Sequence, residues 1–350
     1  MTSSATDFLD ELTHGIRTAP TVQVLSAWPT TPQRTPVVLP SSSGAMPGDR
    51  AALTLLGSVV GVDAWAITRT TEDTWTCLVL QTTARAAEPG SAWASTPAAR
   101  YPVGTPIALD RSLCHHLLTG PAATVVGDLG RRDEPALRRI ADSWGVRGYL
   151  GIALTAPDGA RVGSLVGLSA APLQAQDRDW SAMLEVQATA LQASLAGQVA
   201  ALAGVRREAY ERSAANLDAV SRLPNRRGWA GLLLAEEEAS VPVGDPVGLA
   251  LVDLGVVRTA RSLRRAVAVV REAAGDVQLA RVGPRQLGIL AGGLQTSQVT
   301  RMAALVQARL EGAGFTTATA HSMRAGLEPL ATTGLRVENA LVAARRDGAR

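Results

Sequence analysis

Between Asp177 and Val220 the chain contains no proline, and glycine only at positions 197 and 204. Proline breaks a helix interior and glycine weakens it, so so long a stretch nearly free of both constrains the fold more than any other feature. Within it Leu184, Ala188, Leu191, Leu195, Gln198, Leu202, Val205 and Ala209 recur with alternating spacings of four and three. That spacing lays one stripe along a helix, and when sustained it is the pattern of a coiled-coil seam. A helix over residues 177–222 therefore divides the chain into a part before it and a part after it. Residues 180–195 are expected to pack partly on the preceding part. The rest of the stripe predicts a parallel homodimer, with Leu184, Leu191, Leu195, Leu202 and Val205 on the seam. Gln198 would pair with its copy across the axis and fix the register.

The flanking parts read differently. Residues 1–48 open with an amphipathic segment (Phe8, Leu9, Leu12, Ile16), then carry Pro20, Pro29, Pro32, Pro36, Pro40 and Pro47. Such a stretch lacks donors and has fixed φ angles, so it reads as an extended tail. Asp49 is a candidate N-cap before Leu53, Leu56, Val59 and Val60 at helical spacing. The β-like runs Ala64–Arg69 and Trp75–Thr82 follow, then an irregular excursion over 84–108, a short helix around Leu113–Leu118, a strand at Ala123–Val126 and a helix at Pro135–Trp144. Tyr149–Ala156 and Arg161–Ser169 flank Pro157-Asp158-Gly159, a hairpin signal. Residues 49–196 thus read as an α+β domain around an antiparallel sheet. After Pro224 the pattern restarts as βαββαβ with flanking helices over residues 223–350, a ferredoxin-like palm.

Composition removes several chemistries. All 34 basic residues are arginine, so no amine is available for a P-loop, a Schiff base or a lysine general base. Cys77 and Cys114 make neither a structural zinc site nor a disulfide framework. The N-terminus lacks a signal-peptide pattern, and Met183–Val205 is interrupted by Glu185, Gln187, Gln192 and Gln198, too polar to span a bilayer. A soluble cytoplasmic protein without a membrane partner is expected. Arg258, Arg261, Arg264, Arg265 and Arg271 surround an apolar side made by Leu263, Val267 and Val270. With a net charge of only +3 and no interleaved aromatics, these arginines read as a solvated face, and nucleic acid is not an expected partner.

The run Asp218-Ala-Val-Ser-Arg-Leu-Pro-Asn-Arg-Arg-Gly-Trp229 resembles the entry motif of GGDEF domains, the diguanylate cyclases. Glu338-Asn-Ala-Leu-Val-Ala-Ala-Arg-Arg-Asp-Gly348 resembles their closing helix. The resemblance covers residues 218–350 and implies a metal-dependent enzyme that joins two GTP molecules into cyclic di-GMP. The departures fall on the chemistry. The metal-binding DxD pair is Asp253 and Gly255, and the guanine-reading segment has become Val-Val-Arg-Thr-Ala-Arg-Ser-Leu-Arg-Arg. The signature run corresponds to Gly283, Pro284, Arg285, Gln286 and Leu287. Metal neutralises phosphate charge in such a displacement, and a neutral glutamine is a poor magnesium ligand. Pro284 also lacks the N–H that a phosphate-facing turn offers. No RxxD inhibition motif stands upstream at the family spacing. A degenerate domain without catalytic residues or cofactor is therefore expected, with Asp253 a vestigial metal ligand. The alternative is a cyclase working through Asp253 as its sole acidic ligand.

Residues 49–196 resemble GAF domains, bacterial small-molecule sensors, through Asp110-Arg-Ser-Leu-Cys-His-His-Leu-Leu-Thr-Gly120, Val125-Val-Gly-Asp128, Tyr149-Leu-Gly-Ile-Ala-Leu154 and Val162-Gly-Ser-Leu165. This implies an unidentified small-molecule ligand, and the output domain a nucleotide or protein partner. Cys114-His115-His116 offers a chromophore thiol or a haem ligand, but Cys114 reads as a small buried apolar residue.

Overall fold

The computed structural model describes residues 47–120, 122–156, 158–173 and 180–347. The extended tail expected up to residue 48 lies outside them except for its last two positions, which open the first helix. The chain divides into two compact units, one ending at Ala201 and also taking Pro242–Gly244, the other formed by Leu202–Val241 and Asp245 onward.

In the first unit α1 (Pro47–Val59) precedes β1 (Ala64–Thr70) and β2 (Thr74–Thr82). The excursion carries two single 3-10 turns and β3 (Pro106–Ala108), an edge strand too short to show periodicity. Then follow α2 (Leu113–Leu117), β4 (Thr124–Val126), α3 (Pro135–Trp144), β5 (Gly148–Thr155) and β6 (Arg161–Ser169). These strands form one antiparallel sheet in the order β3-β2-β1-β6-β5-β4. Alternation decides its two faces. Ala64, Ala66, Tyr149, Val166 and Leu168 pack with Leu113, Leu117, Leu137 and Ala141. Trp65, Ile67, Leu150, Ile152, Leu154 and Leu165 pack with Leu53, Leu56, Leu184, Ala188 and Leu191. With both faces covered, the central strands are continuous apolar runs. Gly163 is needed where β6 passes β1, because a Cβ there would meet the Thr68 carbonyl oxygen at 2.0 Å.

The long helix is present as α4 (Trp180–Arg212), followed by a 3-10 turn at Ser213–Asn216. It ends ten residues short of 222 because the chain from Leu217 turns back on itself, as shown below. By length and composition alone Trp180–Asn216 would suffice to cross a membrane. The homodimer seam expected on Leu184, Leu191, Leu195, Leu202 and Val205 needs correction. Leu184, Leu191 and Leu202 are buried within this chain, and Leu195 and Val205 are half-buried. The same 4-3 spacing serves a helix packing on its own domain, and here the intrachain core takes the stripe.

The second unit contains α5 (Arg226–Ser240), β7 (Val247–Asp253), α6 (Ala260–Ala274), β8 (Gln278–Arg281), β9 (Gln286–Gly292), α7 (Thr296–Gly312), β10 (Ala318–Met323) and α8 (Leu330–Asp347). Its antiparallel sheet has the order β10-β7-β9-β8, the ferredoxin-like arrangement expected from βαββαβ. Ala250 and Val252 face α6 and α7 through Leu263, Val267, Val299 and Val306. Val247, Leu249 and Leu251 face α5 and α8 through Trp229, Leu232, Val337 and Leu341. The arginines of α6 lie on its solvent side, where Arg265 stacks over the Phe315 ring at 5.8 Å.

Leu184 is fully buried on the first sheet, so Leu184→Ala should cost about 2–5 kcal/mol in urea unfolding. The loss should be the same at low and high protein concentration, since the contact is intrachain. A cost that grows on dilution would return Leu184 to an intermolecular seam.

Candidate functional site

The candidate site lies at the end of β7 and the β8–β9 turn in the second unit. Val247, Leu249 and Leu251 face α5 and α8, so Asp253, next in the same parity, points to that side. In register it stands between Gln286 of β9 and Ala318 of β10. Its Oδ1 accepts the Gly255 N–H at 2.7 Å. Its Oδ2 is paired with the Arg345 guanidinium of α8, and Arg285 lies 3.9 Å away. The Asp253 side chain is 7% exposed, against 35% for Arg345. Thr317 donates to its backbone carbonyl at 2.8 Å, and Leu254 N–H bonds the Arg285 carbonyl at 2.9 Å.

The other signature positions build the β8–β9 turn. The Gly283 and Val282 N–H groups both donate to the Gln286 carbonyl, and Gln286 N–H returns to Gly283 O at 3.3 Å. Pro284 lends its carbonyl to Arg281 Nη2 at 2.9 Å, and Leu287 is buried in the core beneath. Sequence reasoning found Asp253 and these five positions; it missed Arg345, which was visible only as part of a closing-helix pattern. The resemblance implies a divalent metal here, and the donors do not fit one: a single carboxylate, already paired, faces an amide and a methyl group. Among the described residues no group of three or more His, Cys, Asp or Glu gathers anywhere.

The entry motif builds the frame beneath this site. Leu217 and Pro224 form an antiparallel bridge, Asp218 N–H bonds Leu223 O at 2.8 Å, and Asn225 N–H bonds Asn216 O at 2.7 Å. Arg222 closes the turn at φ 58°, an uncommon backbone for a residue with a Cβ. Asn225 then caps α5, its Oδ1 accepting Arg227 N–H at 2.9 Å and Gly228 N–H at 3.1 Å. Gly228 is required because a Cβ would sit 2.9 Å from Pro224 Cβ. Arg281 joins the motif to the signature turn: its N–H reaches Pro224 O at 2.7 Å and its Nη1 pairs with Asp218 Oδ2 at 2.8 Å. Burial pushes the Asp218 carboxyl up, but Ser221 and Arg281 outweigh it and hold the group below its ordinary value.

The first unit carries a second candidate, a cavity of about 30 Å³ lined by Trp75, Cys77, Tyr101, Cys114, Trp144 and Tyr149. Trp75, Tyr101 and Trp144 touch one another, with ring centroids 5.0 to 5.9 Å apart. The space holds about one or two waters, far short of a tetrapyrrole. Burial pushes the Cys77 thiol up to about 12 and raises Cys114 as well, so neither is a thiolate at neutral pH. Neither His115 nor His116 lines the cavity, and His116 Nε2 lies 2.6 Å from the Asp110 carbonyl oxygen. Cys114 behaves as the small buried residue the sequence indicated.

Because the Asp218 carboxyl is held low in the folded state, its contribution is present above its unfolded value and lost as pH falls through the folded one. Asp218→Asn should cost about 1 kcal/mol at pH 7, and the gap to the wild type should close as pH falls below about 4. Urea unfolding at several pH values measures this; a gap independent of pH would remove the Asp218–Arg281 charge pair as its cause.

No protein-family model matches the chain, and no curated protein matches it. Among solved structures, the GGDEF domain of DgcB from Caulobacter crescentus in complex with c-di-GMP is similar at 18% identity and TM-score 0.35, covering 38% of this chain and 89% of that one. The FimX GGDEF domain from Pseudomonas aeruginosa is similar at 20% identity and TM-score 0.34, covering 38% and 94%. A DGC protein from Thermotoga maritima is similar at 14% identity and TM-score 0.32, covering 35% and 99%.

Proposed function

We propose that the chain is a cyclic di-GMP signalling protein in which a GAF-like sensor unit governs a catalytically degenerate GGDEF-like unit. The observation that carries this reading is the end of β7: Asp253 stands opposite Gln286, and the next family carboxylate is Gly255. The frame motifs Leu223-Pro-Asn-Arg-Arg227 and Asp218–Arg281 are intact around it. In-line joining of two triphosphates needs metal bridging both reacting oxygens, which one paired carboxylate does not hold. The output is then a nucleotide- or protein-binding surface, and the setting is cytoplasmic.

Assembly follows the same reading. We place the homodimer on the outer face of α4, where Val186, Ala190, Ala193, Gly197 and Ala200 are exposed at 4-3 spacing. Light scattering should show a dimer, and Ala193→Glu with Ala200→Glu should give folded monomers. A wild type already monomeric at tens of micromolar would remove the dimer.

Incubated with GTP and Mg²⁺ or Mn²⁺, the purified protein should yield no cyclic di-GMP by mass spectrometry. Clear production, abolished by Asp253→Ala, would establish instead a diguanylate cyclase with a variant site.

A further inference from the structure

We infer that Arg345 is the fixed counter-cation of Asp253, standing where the family resemblance puts a divalent metal, so that the end of β7 takes no divalent ion and the last turn of α8 is held on the sheet by this pair. The inference rests on the reading above only for where a metal would have stood; the pair itself is a contact of this chain.

Both carboxylate oxygens of Asp253 are already engaged. Asp253 Oδ1 is taken by the Gly255 N–H at 2.7 Å, and Oδ2 by Arg345, with Arg285 3.9 Å away. A magnesium-sized ion keeps several waters and is held to a protein by one or two free carboxylates. Around this carboxylate the neighbouring side chains, at Gly255, Gln286 and Ala318, supply no second carboxylate. An incoming dication would also meet two guanidiniums, and a guanidinium does not surrender its proton at any ordinary pH. The ion is excluded by charge as well as by the shortage of donors.

Backbone geometry keeps the exchange from reversing. Gly255 has φ 59°, and a Cβ built on it would lie 2.4 Å from the Thr316 carbonyl oxygen. A second carboxylate therefore cannot be restored at 255 without moving the chain before β10. Helix packing completes the picture. Leu330, Val337 and Leu341 fix the earlier turns of α8 in the core, and Arg345 fixes its last turn. A cation in that turn also meets the negative end of the helix dipole.

Two measurements on the full-length protein test this. Thermal unfolding of Asp253→Asn, Arg345→Met and the double variant should show each single change lowering the melting temperature by about 3–6 °C. The double variant should be no worse than the lower single, because both remove one contact. Electron paramagnetic resonance of added Mn²⁺ should detect no site in the wild type that Asp253→Asn removes. Additive losses in the cycle, or wild-type Mn²⁺ binding abolished by Asp253→Asn, would overturn the inference. Should a variant not fold, Mn²⁺ titration of the wild type decides by itself: no bound Mn²⁺ supports the inference, and a bound ion whose signal broadens the resonances of Asp253 overturns it. Either overturning result without GTP turnover strikes this inference alone and leaves the degenerate reading standing. Cyclic di-GMP production strikes that reading whatever the cycle shows.

Discussion

Arg206 is the contact on which the second unit's attachment to its helix depends. It lies in the last third of α4, and its guanidinium donates to Glu236 Oε1 and Asp245 Oδ2, both at 2.7 Å. Those carboxylates are 1% and 5% exposed, so each would carry a large desolvation cost without the arginine. Burial pulls the Arg206 pKa down, but the two acids more than offset that and raise it. The Arg206 carbonyl accepts from Gln278 Nε2 at 2.7 Å, which ties the same turn of helix to β8. One side chain thus joins α4 to α5 and to the loop before β7, and its main chain reaches the sheet edge. Ala209, one turn on, drops into the core beside Trp229.

From that anchor the chain is forced to turn. Leu217 to Pro224 doubles back, Asn225 starts α5, and Arg281 ties the turn to the sheet edge. The motif residues that persist in this sequence are the ones with folding work to do. Leu223 and Trp229 are buried, Asn225 caps, Gly228 permits close approach, and Asp218 balances Arg281. The positions that depart from the resemblance, Gly255 and Pro284 to Leu287, lie at the end of β7 and in the β8–β9 turn. The buried Asp253 carboxylate is tolerated there because Arg345 neutralises it. The contacts that build the frame of this unit are physically separate from those at the end of β7, so residues at one can change without disturbing the other.

Much of this was legible in the residues. Periodicity found the helix at Pro135–Trp144 and the strand Arg161–Ser169 with their observed bounds, since each is bounded by Pro, Gly or a clear change of period. The short β3 was not legible at all: three residues carry no period, and pairing with β2 alone makes them a strand.

The sequence by itself determined the two α/β patterns, the single long helix between them, the lack of lysine and the glycine at position 255. Those follow from local periodicity and residue identity, which need no distant partner. Tertiary structure alone decided which face of the long helix is covered, because a 4-3 stripe packs equally well on a second copy or on its own domain. It also decided what neutralises Asp253. Arg345 lies 92 positions further along the chain, and only the parity of β7 and the docking of α8 bring the two charges together.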